Sequence, residues 1–274
     1  MEAVTAPGAA DTVIAEKSDI ARGFGRARAT YESASRLQRF MGNTLLQRLE
    51  LLPVSESPMR ILDLGSGTGW FTRKLQACYP TSLVTGADLS HGMIQQAKVA
   101  SVPDIHWLVA DAENLPLPEH SFDLIFSNLM IQWCDDPGQV LRECRRLLRP
   151  AGRLMMSTLL DGTLRELRQA WAEADPGQEH VNRFQPYSVL RGGAGAELPG
   201  VTVETRTIEL PYPSPMALAG ELKQLGAGFK GRERRRTMTA PGRVRAMCRH
   251  YPTRPDGRIA ASYEAGWIYW QRAQ

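Results

Sequence analysis

Arg60-Ile61-Leu62-Asp63-Leu64-Gly65-Ser66-Gly67-Thr68-Gly69-Trp70 is the stretch whose reading decides the fold. Ile61 and Leu62 end a short apolar run that reads as a buried strand, and glycine then stands at every second position, 65, 67 and 69. Without side chains there, a ligand can lie directly against the backbone. A strand that turns through such a loop into a helix presents the helix's first N–H groups to that ligand. Asp63 places a carboxylate at the mouth of the site.

Working outward, the chain alternates strand and helix. Phe71 to Tyr79 reads as the helix after the glycine loop and is stopped by Pro80. Ser82 to Ala87 reads as a second strand, and Ser90 to Val99 as a second helix with Ser90 as its cap. Ile105 to Ala110 and Phe122 to Ser127 read as the third and fourth strands. Asp136-Pro137 opens a helix through Leu148, and Arg153 to Leu159 forms a fifth strand. Five strands alternating with helices imply a parallel sheet covered on both faces. Ligands of such sheets bind beyond the carboxyl ends of the strands. Asp63, Asp88, Asp111 and Asn128 each stand at such an end.

The flanks are read as cover. From Ile20 to Leu52 apolar residues recur in steps of three and four, the mark of an amphipathic helix with an expected break at Gly42-Asn43. After Leu160 the alternation stops. Leu164 to Ala174, Met216 to Leu225 and Val244 to His250 read as helices, and Val201 to Leu210 and Ser262 to Trp270 as strands. The expected division is a disordered tail over 1–19, a helical cover over 20–57 and a ligand-binding core over 58–160. A substrate cover with one core strand follows over 161–240, then a final helix and strand over 241–274.

Composition bounds the class. The chain has 274 residues, 43% hydrophobic and 23% charged, ordinary values for a globular protein. The net charge of +4 is too weak to announce nucleic acid. Of 33 basic residues, only five are lysines, which reflects either genomic bias or a need for bidentate anion contacts. Four cysteines lie scattered without metal-ligand spacing, so a cytoplasmic protein with reduced thiols and no metal is expected. No stretch reaches the length of a membrane span, and residues 1–20 lack a signal peptide's charged start and apolar middle.

The loop itself discriminates between ligands. Dinucleotide sites use G-x-G-x-x-G, which fails here because position 70 is tryptophan. A pyrophosphate would be repelled by the Asp63 carboxylate. S-adenosylmethionine fits better, because its ammonium and sulfonium favour a carboxylate and its ribose hydroxyls need an acceptor such as Asp88. The residues expected to hold it are Asp63, Gly65, Ser66, Gly67, Asp88, Leu89, Met93, Asp111, Ala112 and Asn128.

The segments Ile61–Trp70, Ala87-Asp88-Leu89-Ser90 with Met93, Asp111-Ala112-Glu113 and Phe122-Asp123-Leu124-Ile125 resemble the motif series of class I S-adenosylmethionine-dependent methyltransferases. The resemblance implies an α/β, Rossmann-like sheet, mostly parallel with its last strand antiparallel, carrying an inserted substrate cover. A second set is narrower: Phe24-Gly25-Arg26-Ala27 with Tyr31, Gln132-Trp133-Cys134, Gly162-Thr163-Leu164, Ala170-Trp171, Asn182-Arg183-Phe184 and Leu222-Lys223 with Gly226-Ala227. These resemble the malonyl-acyl-carrier-protein O-methyltransferases of biotin synthesis, from about Ile20 to Gly228. Thr253 to Ala261 departs from that pattern as extra sequence before the last strand.

The implied reaction moves a methyl group to the free carboxylate of a malonyl thioester. That carboxylate is ionised at neutral pH, so alignment and desolvation matter more than a general base. The carboxylate needs a cationic clamp: Arg183 is placed first and Arg26 second, each with the alternative of pairing to a neighbouring carboxylate. Tyr31 is assigned to closing over the sulfonium, or else to packing. Gln132 and Trp133 are assigned to the transfer pocket, with Phe24 beside them. The acidic carrier protein calls for a basic docking face, and Arg232, Arg234, Arg235 and Arg236 form the densest positive run. Malonyl-coenzyme A remains open as an acceptor. The rival readings are a methyltransferase for another small molecule, one for nucleic acid, and a non-catalytic binder. Against nucleic acid, Ser127-Asn128-Leu129-Met130 stands where an Asn-Pro-Pro-Tyr type motif belongs.

Overall fold

The structure is a computed structural model that describes residues 17–50, 58–101, 104–230 and 239–274. Residues 1–16 of the tail expected over 1–19, residues 51–57 and the arginine run at 232–236 lie outside the described residues, whereas 17–19 are helical.

Seven strands form one sheet: β1 (Arg60–Leu64), β2 (Leu83–Asp88), β3 (Ile105–Val109), β4 (Phe122–Asn128), β5 (Leu148–Leu159), β6 (Thr202–Tyr212) and β7 (Ile259–Gln271), in the order β3-β2-β1-β4-β5-β7-β6. β1 to β5 run parallel, and β7 lies antiparallel between β5 and β6. The order reverses between β1 and β4, so a crevice opens beyond their carboxyl ends.

Alternation along each strand divides the core in two. On one face Ile61, Leu124, Phe126 and Met155 pack under α3 (Arg36–Glu50) and α4 (Trp70–Cys78). On the other, Leu62, Leu64, Ile125, Leu154 and Met156 pack against α6 (Pro137–Leu147) and α8 (Tyr187–Glu197). α5 (His91–Val99) starts on Ser90, whose hydroxyl accepts the Met93 N–H, and α6 starts on Asp136, which accepts that of Gln139 at 3.0 Å. Both caps stand where the sequence places them.

The opening helical segment divides differently from the expectation. It forms α1 (Lys17–Ala27), α2 (Tyr31–Ala34) and α3, with breaks at 28–30 and at Ser35 rather than at Gly42. Gly42 lies inside α3 because the Phe71 ring presses on it: a Cβ there would stand 2.2 Å from the ring. Glycine serves close packing there, not a helix break. The Gly/Ala-rich 189–198 region is helical as part of α8.

β7 begins at Ile259, so the end of the extra 253–261 segment is strand, with Ile259 opposite Tyr212 and Ala261 opposite Leu210. The cover is completed by α7 (Arg165–Ala174), α9 (Pro215–Gln224) and α10 (Pro241–His250). Among the described residues no helix is long and apolar enough to cross a membrane.

Candidate active site

At the crevice the glycine loop adopts a conformation that side chains would obstruct. Gly65, Gly67 and Gly69 have φ of 79°, 54° and 80°, in the left-handed region that favours glycine. A Cβ on Gly65 would also stand 2.4 Å from the Met130 side chain. The N–H groups of Gly65 and Ser66 both donate to the Ala87 carbonyl, at 2.8 and 2.9 Å, and lash the loop to the end of β2.

Asp88 completes that lashing. One carboxylate oxygen accepts the Gly67 N–H at 2.9 Å and the other the Ser90 N–H at 2.7 Å. Burial nevertheless pushes its carboxyl above the usual range. Asp63 is 2% exposed and accepts the Thr72 hydroxyl at 2.5 Å. Burial, with the Asp88 charge nearby, pushes its pKa up to about 7. Buried Asp63 and half-buried Asp88 therefore flank one glycine loop, and no Lys or Arg ion pair reaches either among the described residues. Such a pair favours a ligand that brings positive charge.

α1 covers the crevice. Its Lys17 Nζ reaches Asp111 at 2.7 Å and Glu113 at 2.9 Å, and the Ser90 hydroxyl donates to the Ala21 carbonyl at 2.9 Å. Close approach depends on missing side chains, since a Cβ on Gly92 would meet the Gly25 backbone at 3.1 Å. Beneath α1 lies a cleft partly open to solvent, with about 750 Å³ of free space when the open solvent in its mouth is included. A smaller hollow of about 420 Å³ adjoins it on the side of Asp63, α3 and α4. Tyr31, Gly65, Gly67 and Asn128 line both.

The structure gathers most of the expected residues around these spaces. Phe24, Tyr31, Gly65, Gly67, Asp88, Leu89, Met93, Asp111, Ala112, Asn128 and Trp133 line the cleft, and Asp63 and Ser66 the smaller hollow. Phe24 meets Trp133 edge-on at 5.3 Å and Tyr31 at 6.4 Å, forming an aromatic wall. The Asn128 amide is engaged within the protein: it donates to the Gln38 carbonyl at 3.0 Å and accepts the Ser157 hydroxyl at 2.7 Å. It joins α3 to the sheet at the crevice.

Three expected residues lie elsewhere. Gln132 donates to the Leu129 carbonyl at 3.0 Å and accepts the Thr158 hydroxyl at 3.3 Å, and it lines neither space. Arg26 is exposed on α1. Arg183 has a side chain 62% exposed and pairs with Glu179, four positions earlier in the irregular segment before α8.

Its neighbour Asn182 holds a different cation: its side chain accepts the Lys230 backbone N–H at 2.8 Å. Lys230 Nζ then lies over the Phe24 ring at 5.9 Å and in the space left by Gly23, where a Cβ would be 2.0 Å away. Sequence reading passed over Lys230; the signal was the scarcity of lysine in an arginine-rich chain. Also unremarked were Lys17 and Arg39, which belong to the helices covering the site.

The comparisons with known proteins agree with this geometry. Residues 62–156 match the family model described as "Methyltransferase domain". A malonyl-[acyl-carrier protein] O-methyltransferase of Hahella chejuensis is 37% identical over 261 residues, covering 94% of this chain and 91% of the relative. The chain belongs to the malonyl-[acyl-carrier protein] O-methyltransferase family. Another member, from Serratia marcescens, is 36% identical, covering 92% of this chain and 94% of its own length. A biotin biosynthesis bifunctional protein of Cellvibrio japonicus matches at 37% over 92% of this chain and 50% of itself.

Solved structures share the methyltransferase fold at low identity. The YcgJ protein of Bacillus subtilis superposes with a TM-score of 0.59 at 18% identity, over 85% of this chain and 99% of that one. A Haemonchus contortus phosphoethanolamine N-methyltransferase, solved with S-adenosylhomocysteine, gives 0.54 at 17% identity, over 85% of this chain and 53% of that one. This family member thus has the class I sheet, with β7 as its reversed strand.

Proposed function

We propose that the cleft binds S-adenosylmethionine and that the enzyme transfers its methyl group to the free carboxylate of malonyl-acyl-carrier protein. The product is the methyl ester that primes pimeloyl synthesis for biotin. The observation that carries the donor assignment is the pair of carboxylates, buried Asp63 and half-buried Asp88, beside a glycine loop that excludes side chains. A sulfonium and an ammonium satisfy that negative cradle; a phosphate would oppose it. The residues lining the crevice fit the donor: Asp88, at the end of β2, can accept from ribose hydroxyls, and Leu89, Met93 and Ala112 offer apolar surface to an adenine. When bound, the donor supplies an electrophilic methyl group.

The protein's part is to hold and dry the nucleophile. In this reading the aromatic wall of Phe24, Tyr31 and Trp133 presents apolar surface to an incoming carboxylate and reduces its solvation. Lys230 over Phe24 is the cation we assign to the malonyl carboxylate, in place of Arg183 or Arg26. Its backbone is fixed by Asn182, and its charge meets an acid that needs no deprotonation at neutral pH. The run Arg232, Arg234, Arg235 and Arg236 directly follows Lys230 in sequence and is assigned to docking the acidic carrier protein. A cytoplasmic location accords with this substrate.

An acceptor panel tests the assignment. Incubated with labelled donor, the enzyme methylates malonyl-carrier protein, and malonyl-coenzyme A more weakly, giving a base-labile ester. Transfer to phenols or free acids with no transfer to malonyl thioesters would overturn it.

A further inference from the structure

The sheet has two edges, and they are unlike. β3 is five residues long, the short kind of edge that resists further pairing. β6, at the other end, runs for 11 residues, and among the described residues only β7 pairs with it. Its register with β7 continues from Thr202 to Tyr212 without a bulge. Its first proline stands at 211, and it contains no lysine. Bulges, prolines and lysines are the common means of keeping an edge from pairing, and 202–210 has none of them. Thr202, Val203, Thr205, Thr207 and Ile208 are instead β-branched, which favours strand pairing. Glu204, Thr205, Arg206 and Thr207, at the middle of the strand, are all exposed.

The charges on this edge select the neighbour. Glu204 and Arg206 share the face of the sheet that α3 covers. Glu204 meets Arg48 of that helix at 3.6 Å, and Arg206 lies over the Phe40 ring at 5.6 Å. A two-fold axis normal to the sheet sets β6 antiparallel to its own copy and keeps the same face uppermost. With that axis at Thr205, Glu204 stands opposite Arg206 of the second copy, and Arg206 opposite its Glu204. On the other face Val203 meets Thr207, and Thr205 meets itself, both β-branched pairs suited to a sheet. Moving the axis to Glu204 or to Arg206 sets like charge against like. Moving it to Val203 or Thr207 leaves neither charge opposite its complement. One register alone is matched in charge, and Phe40, 39% exposed, stands beside the joint.

We propose that β6 pairs with β6 of a second copy of this chain, antiparallel about Thr205, so that one sheet runs through a two-fold dimer. β5 and β7 separate this edge from β4 and the cleft, so each copy keeps its site open.

Sedimentation velocity of the full chain at micromolar concentrations shows a dimer that dissociates on dilution. Glu204→Arg and Arg206→Glu each set like charges together at both symmetric places, and each weakens the dimer roughly tenfold. The double exchange restores it to within about threefold of the unmodified chain. Thr205→Cys, mildly oxidised, gives a covalent dimer linked 205 to 205 by peptide mapping, because opposed Cα atoms stand about 4.5–5.5 Å apart. Thr207→Cys, which faces Val203 of the copy and not itself, does not. The cysteine variants keep the test decisive if a charge exchange impairs folding. A chain that stays monomeric at all these concentrations overturns the proposal. So does a dimer indifferent to both single exchanges and without the 205 link, since it must use another face.

Discussion

Lys17 Nζ lies 2.7 Å from the carboxylate of Asp111 and joins the first helix to the end of β3, across the cleft that separates them. Glu113, 2.9 Å away on the other side, makes the contact a fork. Burial works against the ammonium charge, but the two carboxylates outweigh it and hold the lysine pKa well above its ordinary value.

That strap spans the cleft proposed to bind the donor, and its loss should be felt in binding before folding. Partly exposed ion pairs contribute about 1 kcal/mol or less. Lys17→Met should lower Tm by no more than about 4 °C. The same variant should raise the Kd for S-adenosylhomocysteine several-fold, chiefly through faster dissociation in stopped-flow. An unchanged off-rate would refute the strap.

Asp88 is placed to respond more sharply. Its two oxygens fix the Gly67 and Ser90 N–H groups and face the cleft. Asp88→Asn keeps one acceptor, loses the other and removes the charge. A hydrogen bond to a charged group contributes about 1.5–3 kcal/mol, so the Kd should rise roughly 10- to 100-fold by titration calorimetry. Binding within twofold of the unmodified enzyme would remove Asp88 from the donor site.

Asp63 sets a pH dependence. Its folded pKa is about 7 against an ordinary 3.8, raised chiefly by burial, so the ligand-free fold retains a proton that the unfolded chain has released across that window. Ligand-free stability therefore falls as pH rises from about 4 to 7. Binding a cation requires the ionised form, so donor affinity should rise with pH, up to about tenfold per unit, and level off above about 7. Asp63→Asn should flatten the profile. A donor affinity independent of pH between 5.5 and 8 in the unmodified enzyme would contradict this.

Lys230 and Arg183 can be told apart by kinetics. Lys230→Gln should raise the KM for malonyl-carrier protein about tenfold with S-adenosylhomocysteine affinity unchanged. Arg183→Ala, on an exposed residue paired with Glu179, should change it less than about twofold. The reverse ranking would return the clamp to Arg183.

How far the sequence reached depends on the range of the forces involved. The glycine loop, its following helix and the carboxylates at strand ends are local patterns, and the parallel sheet follows from their repetition. The caps at Ser90 and Asp136 are equally local, and the structure has both. Gly42 was misread because its neighbour Phe71 lies 29 positions on, and only packing shows that the missing side chain is filled by a ring. The break between α1 and α2 was hidden because the apolar spacing runs through it unbroken.

Arginine identity alone could not rank the clamps. Arg183 meets a carboxylate four positions away, whereas Lys230 reaches Phe24 through chain segments some 200 positions apart. The same holds for the hollow at Arg39 and Trp70, which side chains of α3 and α4 line together.

The account turns on where the methyl group goes. Intact-mass spectrometry of malonyl-carrier protein, incubated with this enzyme and S-adenosylmethionine, measures it directly. The predicted result is a gain of one methyl group, located at the malonyl carboxylate by fragmentation and removed by mild alkaline hydrolysis. A carrier protein of unchanged mass, under conditions where the enzyme binds the donor, would contradict the account.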